Sequence, residues 1–442
     1  MSTPLYTLTA VKVLDLLKSN SLTVADYARS LLSRIKDRDD TVRAWAYLAD
    51  NDFVINQARS LDKVPRDQRG PLHGLAIGVK DAINTKDMPT QFGSAIYQGH
   101  QSGFDSSTVA ILRAAGALIF GKTTTTEFTA MNSGPETTNP HDRNRTPGGS
   151  SCGSAAAVAD MQIPLSLGTQ TGGSVIRPAS FTGVFAMKPT HDAISTEGQK
   201  AYAPTFDTFG FFARSVEDLQ LLADVFALSD DEVPQEVPLE QISVALIKTP
   251  MWGSAGPGTV TALNEAAKIL KNCGVSVKEV SFPPEVSDVE TLTRIQNIIT
   301  KSEGAVSLLR EYRVNKAKLA PALCDIVENK SNYTKKELAE ALDTYANQRR
   351  IINNLAENYT VILTPSVIDE APVGLGDTGS PVFNTPWTGF HMPVINLPVF
   401  HGPHGMPVGV SLVAPRYRDQ HLLKISQILG RVLAEKASKE KA

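Results

Sequence analysis

Two short stretches concentrate the residues that could carry chemistry. Gly148-Gly149-Ser150-Ser151-Cys152-Gly153-Ser154-Ala155 and Gly168-Thr169-Gln170-Thr171-Gly172-Gly173-Ser174-Val175-Ile176-Arg177-Pro178 are Gly/Ser-rich loops with room between them for one helix and one strand. Glycine pairs let backbone N–H groups approach a ligand closely, and serine supplies an oxygen that can donate, accept or attack. One such loop is common. Two of them, bracketing the small and apolar runs 155–159 and 164–167, point to an active site built from both.

Two motifs match in letter and are poorly supported by context. Gly116, Gly121, Lys122 and Thr123 satisfy the phosphate-loop spacing, but that motif needs a strand before its first glycine and a helix opening at the lysine. Here the segment before Gly116 reads as helix and the four intervening residues as strand. Gly149-Ser150-Ser151-Cys152-Gly153 fits the Gly-x-Ser-x-Gly elbow, with Ser151 as nucleophile and His391, His401 or His404 as candidate base. An elbow follows a central strand directly, and Asn139-Pro140-His141-Asp142-Arg143-Asn144-Arg145-Thr146 cannot be one.

Around the two loops the chain closely resembles the amidase signature family, serine hydrolases that cleave amides with a Ser-Ser-Lys triad. The resemblance runs from Gly70-Pro71-Leu72-His73-Gly74 and Val79-Lys80-Asp81, through both loops, to the segment 181–190. It resumes at Met392-Pro393-Val394-Ile395-Asn396-Leu397-Pro398 and Gly405-Met406-Pro407-Val408-Gly409-Val410, and is weak only over roughly 230–360. It implies that Ser174, 24 positions after Ser150, is the nucleophile, that Ser150 relays its proton, and that Lys80 is the base. The backbone N–H groups of Thr171, Gly172, Gly173 and Ser174 would form the oxyanion hole. The resemblance also implies a cis peptide before Ser150. Lysine can serve as base only when neutral, so burial must lower its ordinary pKa of about 10.4 by about 3 units.

The chain departs from the family text beside the nucleophile. The family arginine stands two positions after the serine, whereas here Val175 and Ile176 intervene and Arg177 falls three positions on; Gln170 replaces an aspartate and Thr182 a cysteine. Arg177 is taken to bind a substrate carboxylate through its planar fork, against the alternative of a structural arginine paired to a carboxylate or to backbone. Ser133, within Asn132-Ser133-Gly134, is expected in the pocket wall, with an ordinary turn as its alternative.

These groups need elements to hold them. Period-two alternation makes 75–81 a strand with Leu75, Ile77 and Val79 on one face, while Lys80 shares the other with the small residues Ala76 and Gly78. Residues 8–38 read as two amphipathic helices, the second opening at Thr23. A helix and a short strand follow over 105–123, and 123–146 is a long polar loop running toward the site. A closely packed helix over 153–160 and a buried strand over 163–168 join the two serine loops. Beyond an acidic connector at 229–238, strand, helix and strand over 242–282 imply a parallel pair with a right-handed crossover. Helices over about 288–312 and 335–357 precede a strand at 360–363, and Trp387, Phe390 and His391 are read as packed core, with a place in the pocket lining as the alternative. The expected fold is α/β, one domain over 1–442 with a central mixed, mostly parallel sheet wrapped by helices. Its parts are a helical N-terminal scaffold to about 65, a signature core over about 70–230, a variable pocket-shaping region over about 231–360 and a C-terminal return to the core over about 361–435.

Composition narrows the function. With 442 residues, 42% of them hydrophobic, the chain can bury a large core, and its net charge of −3 without a Lys/Arg cluster argues against a nucleic-acid partner. The absence of any run of about twenty apolar residues argues against a membrane span. Cys152, Cys273 and Cys324 lack metal-ligand spacing, so no metal site or disulfide framework is expected and a reducing, cytoplasmic compartment fits best. The expected activity is cofactor-free hydrolysis of a small-molecule linear amide, with a carboxylate-bearing one as the favoured class, through an acyl-enzyme at Ser174. Alternatives are an ester or carbamate hydrolase on the same triad, an amidotransferase component that would need a partner chain to use the ammonia, and a non-catalytic binding module. A homodimer stays open.

Overall fold

The structure is a computed structural model that describes residues 3–439, and it is organised by one sheet of 11 strands. In chain order these are β1 (Trp45–Leu48), β2 (Ala76–Lys80), β3 (Leu118–Thr123), β4 (Leu165–Gln170), β5 (Phe185–Lys188), β6 (Thr208–Ala213), β7 (Ser243–Leu246), β8 (Ser276–Glu279), β9 (Val361–Pro365), β10 (Val394–His401) and β11 (Pro407–Val413). Across the sheet they lie in the order β1-β3-β2-β4-β6-β5-β10-β11-β9-β7-β8.

The sheet is mixed, as expected, but less parallel than the sequence suggested. Among the described residues, antiparallel pairings (β1 with β3, β4 with β6, β5 with β6 and β10, β11 with β9 and β10) outnumber the four parallel ones. The reason is local: β10 and β11 are joined by a short turn, and β5 slots between β6 and β10 antiparallel to both, where no crossover helix is needed. Parallel pairing is confined to two places. One is β7, the helix Pro257–Asn272 and β8, as the strand-helix-strand pattern required, with β9 continuing on the other side of β7. The other is β3-β2-β4, with Ile77 opposite both Ile119 and Leu165.

That second parallel unit positions the site. All residues of β2, β3 and β4 are buried, and their carboxyl ends lie together, with Lys80 opposite Thr123 and β4 running on to Gln170. The alanine-rich helix Cys152–Ala159 packs directly on these strands, and every residue from Cys152 to Val158 is buried. Its approach is so close that a Cβ at Gly153 would lie 2.0 Å from the Ala44 carbonyl oxygen, which only glycine avoids. Trp387 and Phe390 belong to an aromatic core with Phe282 and Tyr345, ring centroids 5.5–6.3 Å apart. Among the described residues no helix is long and apolar enough to cross a membrane.

Candidate active site

Lys80 ends β2 completely buried, and its Nζ lies 2.7 Å from Ser150 Oγ, 2.8 Å from Thr169 Oγ1 and 3.3 Å from the Thr169 carbonyl oxygen. These three contacts suit both states of a base. A neutral amine can donate its two N–H groups to Thr169 and turn its lone pair to the Ser150 hydroxyl, while the ammonium donates to all three oxygens. Burial pulls the Lys80 pKa from 10.5 down to about 7, while the Asp207 carboxylate, when ionised, acts to raise it and Arg177 to lower it. Ser150 follows a cis peptide bond from Gly149 and sits just before the helix that opens at Cys152.

Ser174 stands at the turn between β4 and the helix Ile176–Thr182, and Gln170 fixes that turn. Its Oε1 accepts the N–H groups of Val175 (2.8 Å) and Ile176 (3.0 Å), satisfying donors at the helix start. Its Nε2 donates to Thr388 Oγ1, which donates in turn to the Gly172 carbonyl. Where the family text has an acid and an arginine, this chain has a neutral amide at 170 and a fully buried Ile176. Among the described residues no carbonyl accepts from the N–H groups of Gly172, Gly173 or Ser174. Gly173 has no room for a side chain, since a Cβ there would lie 2.4 Å from Asn384 Oδ1.

Ser150 and Ser174 both line a cavity of about 380 Å³, together with Thr171, Gly172 and Gly173. Opposite them the helix Val289–Ser307 presents Thr293, Gln296, Asn297 and Thr300, an uncharged polar face at i, i+3, i+4 and i+7. Sequence reasoning placed a pocket-shaping region here without naming these residues; polar, uncharged positions at helical spacing were the available signal. Gln296 is oriented by Tyr345, whose hydroxyl donates to its Oε1 at 2.8 Å.

Arg177 is the one charged residue on the cavity wall among the described residues. Its Nη2 donates to the Gly149 carbonyl at 2.7 Å and to Thr378 Oγ1 at 3.3 Å, and its Nη1 to the Gly379 carbonyl. The fork expected to hold a substrate carboxylate is therefore engaged with backbone, as in the structural alternative. No carboxylate of the described residues forms an ion pair with it, and its buried Nε has no partner; burial lowers its pKa to about 10.

Ser133 does not line the cavity. Phe128 and Thr129 both take left-handed backbone (φ 47° and 61°), turning the chain so that Thr129, Ala130, Met131 and Asn132 form the wall and Ser133 is left exposed. The two look-alike motifs are accounted for as well. Lys122 lies inside β3, buried, 2.7 Å from Thr90 Oγ1 and 3.4 Å from the Asp81 carboxylate. Ser151 Oγ bonds the backbone of Thr169, whereas His391 and His404 are bonded to the Thr205 carbonyl and to Glu370. Among the described residues no cluster of three His, Cys, Asp or Glu is placed to hold a metal.

Comparison with known proteins identifies the family and the fold. The family model for Amidase matches residues 26–423. The chain is 31% identical to a glutamyl-tRNA(Gln) amidotransferase subunit of Symbiobacterium thermophilum over 95% of each chain. A solved amidase structure superposes with a TM-score of 0.86 at 27% identity, covering 96% of this chain and 99% of the other. The structure of 6-aminohexanoate cyclic dimer hydrolase with substrate superposes with a TM-score of 0.85 over 98% of each chain; at 22% identity it bears on the fold alone.

Proposed function

The chain belongs to the amidase family, and from that premise we propose that it is a single-domain amide hydrolase acting through an acyl-enzyme on Ser174. The observation that carries this reading is Lys80 Nζ held 2.7 Å from Ser150 Oγ, fully buried, beside a cavity that Ser150 shares with Ser174. Ser174 Oγ attacks the amide carbonyl carbon and gives its proton to Ser150, whose own proton passes to neutral Lys80. The N–H groups of the 171–174 loop stabilise the oxyanion. Collapse breaks the carbon–nitrogen bond, and the amine leaves with the proton returned from Lys80 through Ser150. Water then attacks the Ser174 ester by the same relay and releases the acid.

The cavity also supports a substrate class. Arg177 places a buried positive charge on a wall that is otherwise neutral, with no carboxylate in contact and only the exposed Asp377 acting on it from a distance. A small amide bearing a carboxylate would balance that charge through space, since both Nη groups are held by Gly149, Thr378 and Gly379, while the face of Thr293, Gln296, Asn297 and Thr300 would hydrogen-bond its neutral polar groups. The same triad would acylate on an ester or carbamate.

Labelling with a fluorophosphonate and peptide mapping tests the core of this reading. Ser174 should carry the label, and labelling should slow at least 100-fold in Lys80→Ala; label on Ser151, or an unchanged rate, would overturn it. For the substrate class, the ratio of kcat/KM for a carboxylated amide over its neutral methyl ester or carboxamide analogue should exceed tenfold and collapse in Arg177→Ala. The ratio is read because Arg177 also holds Gly149, so overall activity will fall regardless. The name of the Symbiobacterium relative favours a second reading, in which the chain releases ammonia from an amide for transfer. A co-purifying partner chain whose addition raises amide turnover would support it.

A further inference from the structure

We infer that Asp207 is a positioning residue of this site: it fixes Thr171 at the start of the oxyanion loop and supplies the counter-charge for Lys80 once Lys80 has taken the proton. The inference rests on reading Lys80 as the base.

Asp207 immediately precedes β6 and is 7% exposed. Its Oδ1 accepts the Thr171 hydroxyl at 2.5 Å, and its Oδ2 accepts the N–H groups of Tyr202 (2.7 Å) and Ala203 (3.0 Å). Burial pushes the Asp207 carboxyl up, and the three converging donors from Thr171, Tyr202 and Ala203 act against it in favour of the ionised form. Yet no lysine or arginine of the described residues pairs with it directly. A buried charge with no cation in contact is costly, and the compensation must come through space.

The sheet supplies it. Gln170 is opposite Thr208, so Asp207 lies beside Thr171, and Lys80 is bonded to Thr169, two residues earlier in the chain. The charged or titratable groups that act on Lys80 are Asp207, the Cys152 thiol and Arg177. Burial holds the Cys152 thiol protonated, its pKa pushed up to about 12, and Arg177 is itself a cation. Gln170, at the position of a family aspartate, is neutral. Asp207 is thus the one of these groups able to supply a negative charge when Lys80 becomes an ammonium. On its other side Asp207 faces the Tyr202 phenol and Glu303, neither of which is a cation.

Removing the charge while keeping an acceptor separates this role from a structural one. The acid limb of log kcat/KM against pH is measured for the parent, Asp207→Asn, Asp207→Glu and Thr171→Val. Without the anion Lys80 sheds its proton at lower pH, so the limb of Asp207→Asn should move down by half a pH unit or more, with a plateau lowered about 10- to 100-fold. Asp207→Glu should restore the limb. Thr171→Val should lower the plateau and leave the limb in place. A limb in Asp207→Asn that coincides with the parent's overturns the inference, as does one moved equally in Thr171→Val. If Asp207→Asn does not fold, Asp207→Ser is read in its place. Lys80→Ala in the same series keeps the two readings apart. If it retains parental activity, the assignment of the base fails; if it is inactive while the Asp207→Asn limb stays fixed, only the role of Asp207 fails.

Discussion

Lys80 Nζ stands 2.8 Å from Thr169 Oγ1, and Thr169 offers its carbonyl oxygen to the same nitrogen at 3.3 Å. Two of the three acceptors around the base thus come from one residue on the neighbouring strand. Thr169 Oγ1 accepts from Lys80 in either state but more strongly from the ammonium, so on the proposed mechanism it favours the protonated state and helps Lys80 take a proton from Ser150. Thr169→Val should lower kcat about 10- to 100-fold and shift the acid limb of the pH profile downward, while Thr169→Ser should recover both. Steady-state kinetics across pH 5–9 on the three proteins decide it, and a valine variant with parental kcat would remove Thr169 from the mechanism.

With Lys80 as the proposed base, its pKa of about 7 should set the pH dependence of the parent enzyme. Below about pH 7 Lys80 is an ammonium and cannot accept the Ser150 proton, so kcat/KM should fall about tenfold for each further pH unit of acidification and level off above about pH 8. Fluorophosphonate labelling of Ser174 should follow the same curve, because it too begins with loss of the Ser174 proton. A labelling rate that is flat from pH 5 to 8 would exclude Lys80 as the proton acceptor.

The same burial carries a cost in stability, and the cost has a definite pH window. Lys80 and Lys188 are both pulled down to about 7, and Lys122 to about 8, each chiefly by desolvation. In the unfolded chain they would titrate near their ordinary value, so between about pH 7 and 10 the unfolded state holds more protons and stability rises with pH. The slope is about 1.4 kcal/mol per pH unit for each fully buried lysine. Below pH 7 both states are protonated and the full cost applies. Lys80→Met should therefore be inactive yet more stable than the parent at pH 7 by roughly 1–3 kcal/mol, an advantage that shrinks toward pH 10. Urea unfolding at pH 7 and pH 9.5 measures it, and a variant equally destabilised at both values would refute the argument.

What the sequence revealed and what it concealed divide along physical lines. Period-two alternation put Lys80 on the face of Ala76 and Gly78 and glycine spacing marked the serine loops, but the roles of Lys80, Ser150 and Ser174 were legible only through the resemblance to the amidase signature family. The unit 242–282 was legible because local periodicity dictates a strand, a helix and a strand. Thr169 and Asp207 were not, since each matters through a partner brought close only by sheet register. Ser133 was misplaced for a related reason: the left-handed turn at Phe128 and Thr129 decides which polar residues of that loop face inward, and neither residue type announces such a turn. The share of antiparallel pairing was missed because the order of β5, β6, β10 and β11 across the sheet is set by tertiary packing.

The adjacent glycines of the nucleophile loop should behave differently, although composition alone treats them alike. A Cβ on Gly173 would lie 2.4 Å from Asn384 Oδ1, and Asn384 cannot easily yield because its Nδ2 is bonded to the Ser366 carbonyl at 2.8 Å. A Cβ on Gly172 meets nothing closer than Pro381 Cβ at 3.5 Å, an ordinary contact. Gly173→Ala should therefore push the loop away from Asn384, lowering kcat at least 100-fold and stability by roughly 1–3 kcal/mol. Gly172→Ala should fold with stability within about 1 kcal/mol of the parent, and its loss of activity should be smaller. The pair of alanine variants, compared by kcat and by urea midpoint, tests whether Asn384 forms the hard back wall of the loop. Equal losses in both variants would show that backbone freedom, and not this close contact, is what the glycines provide.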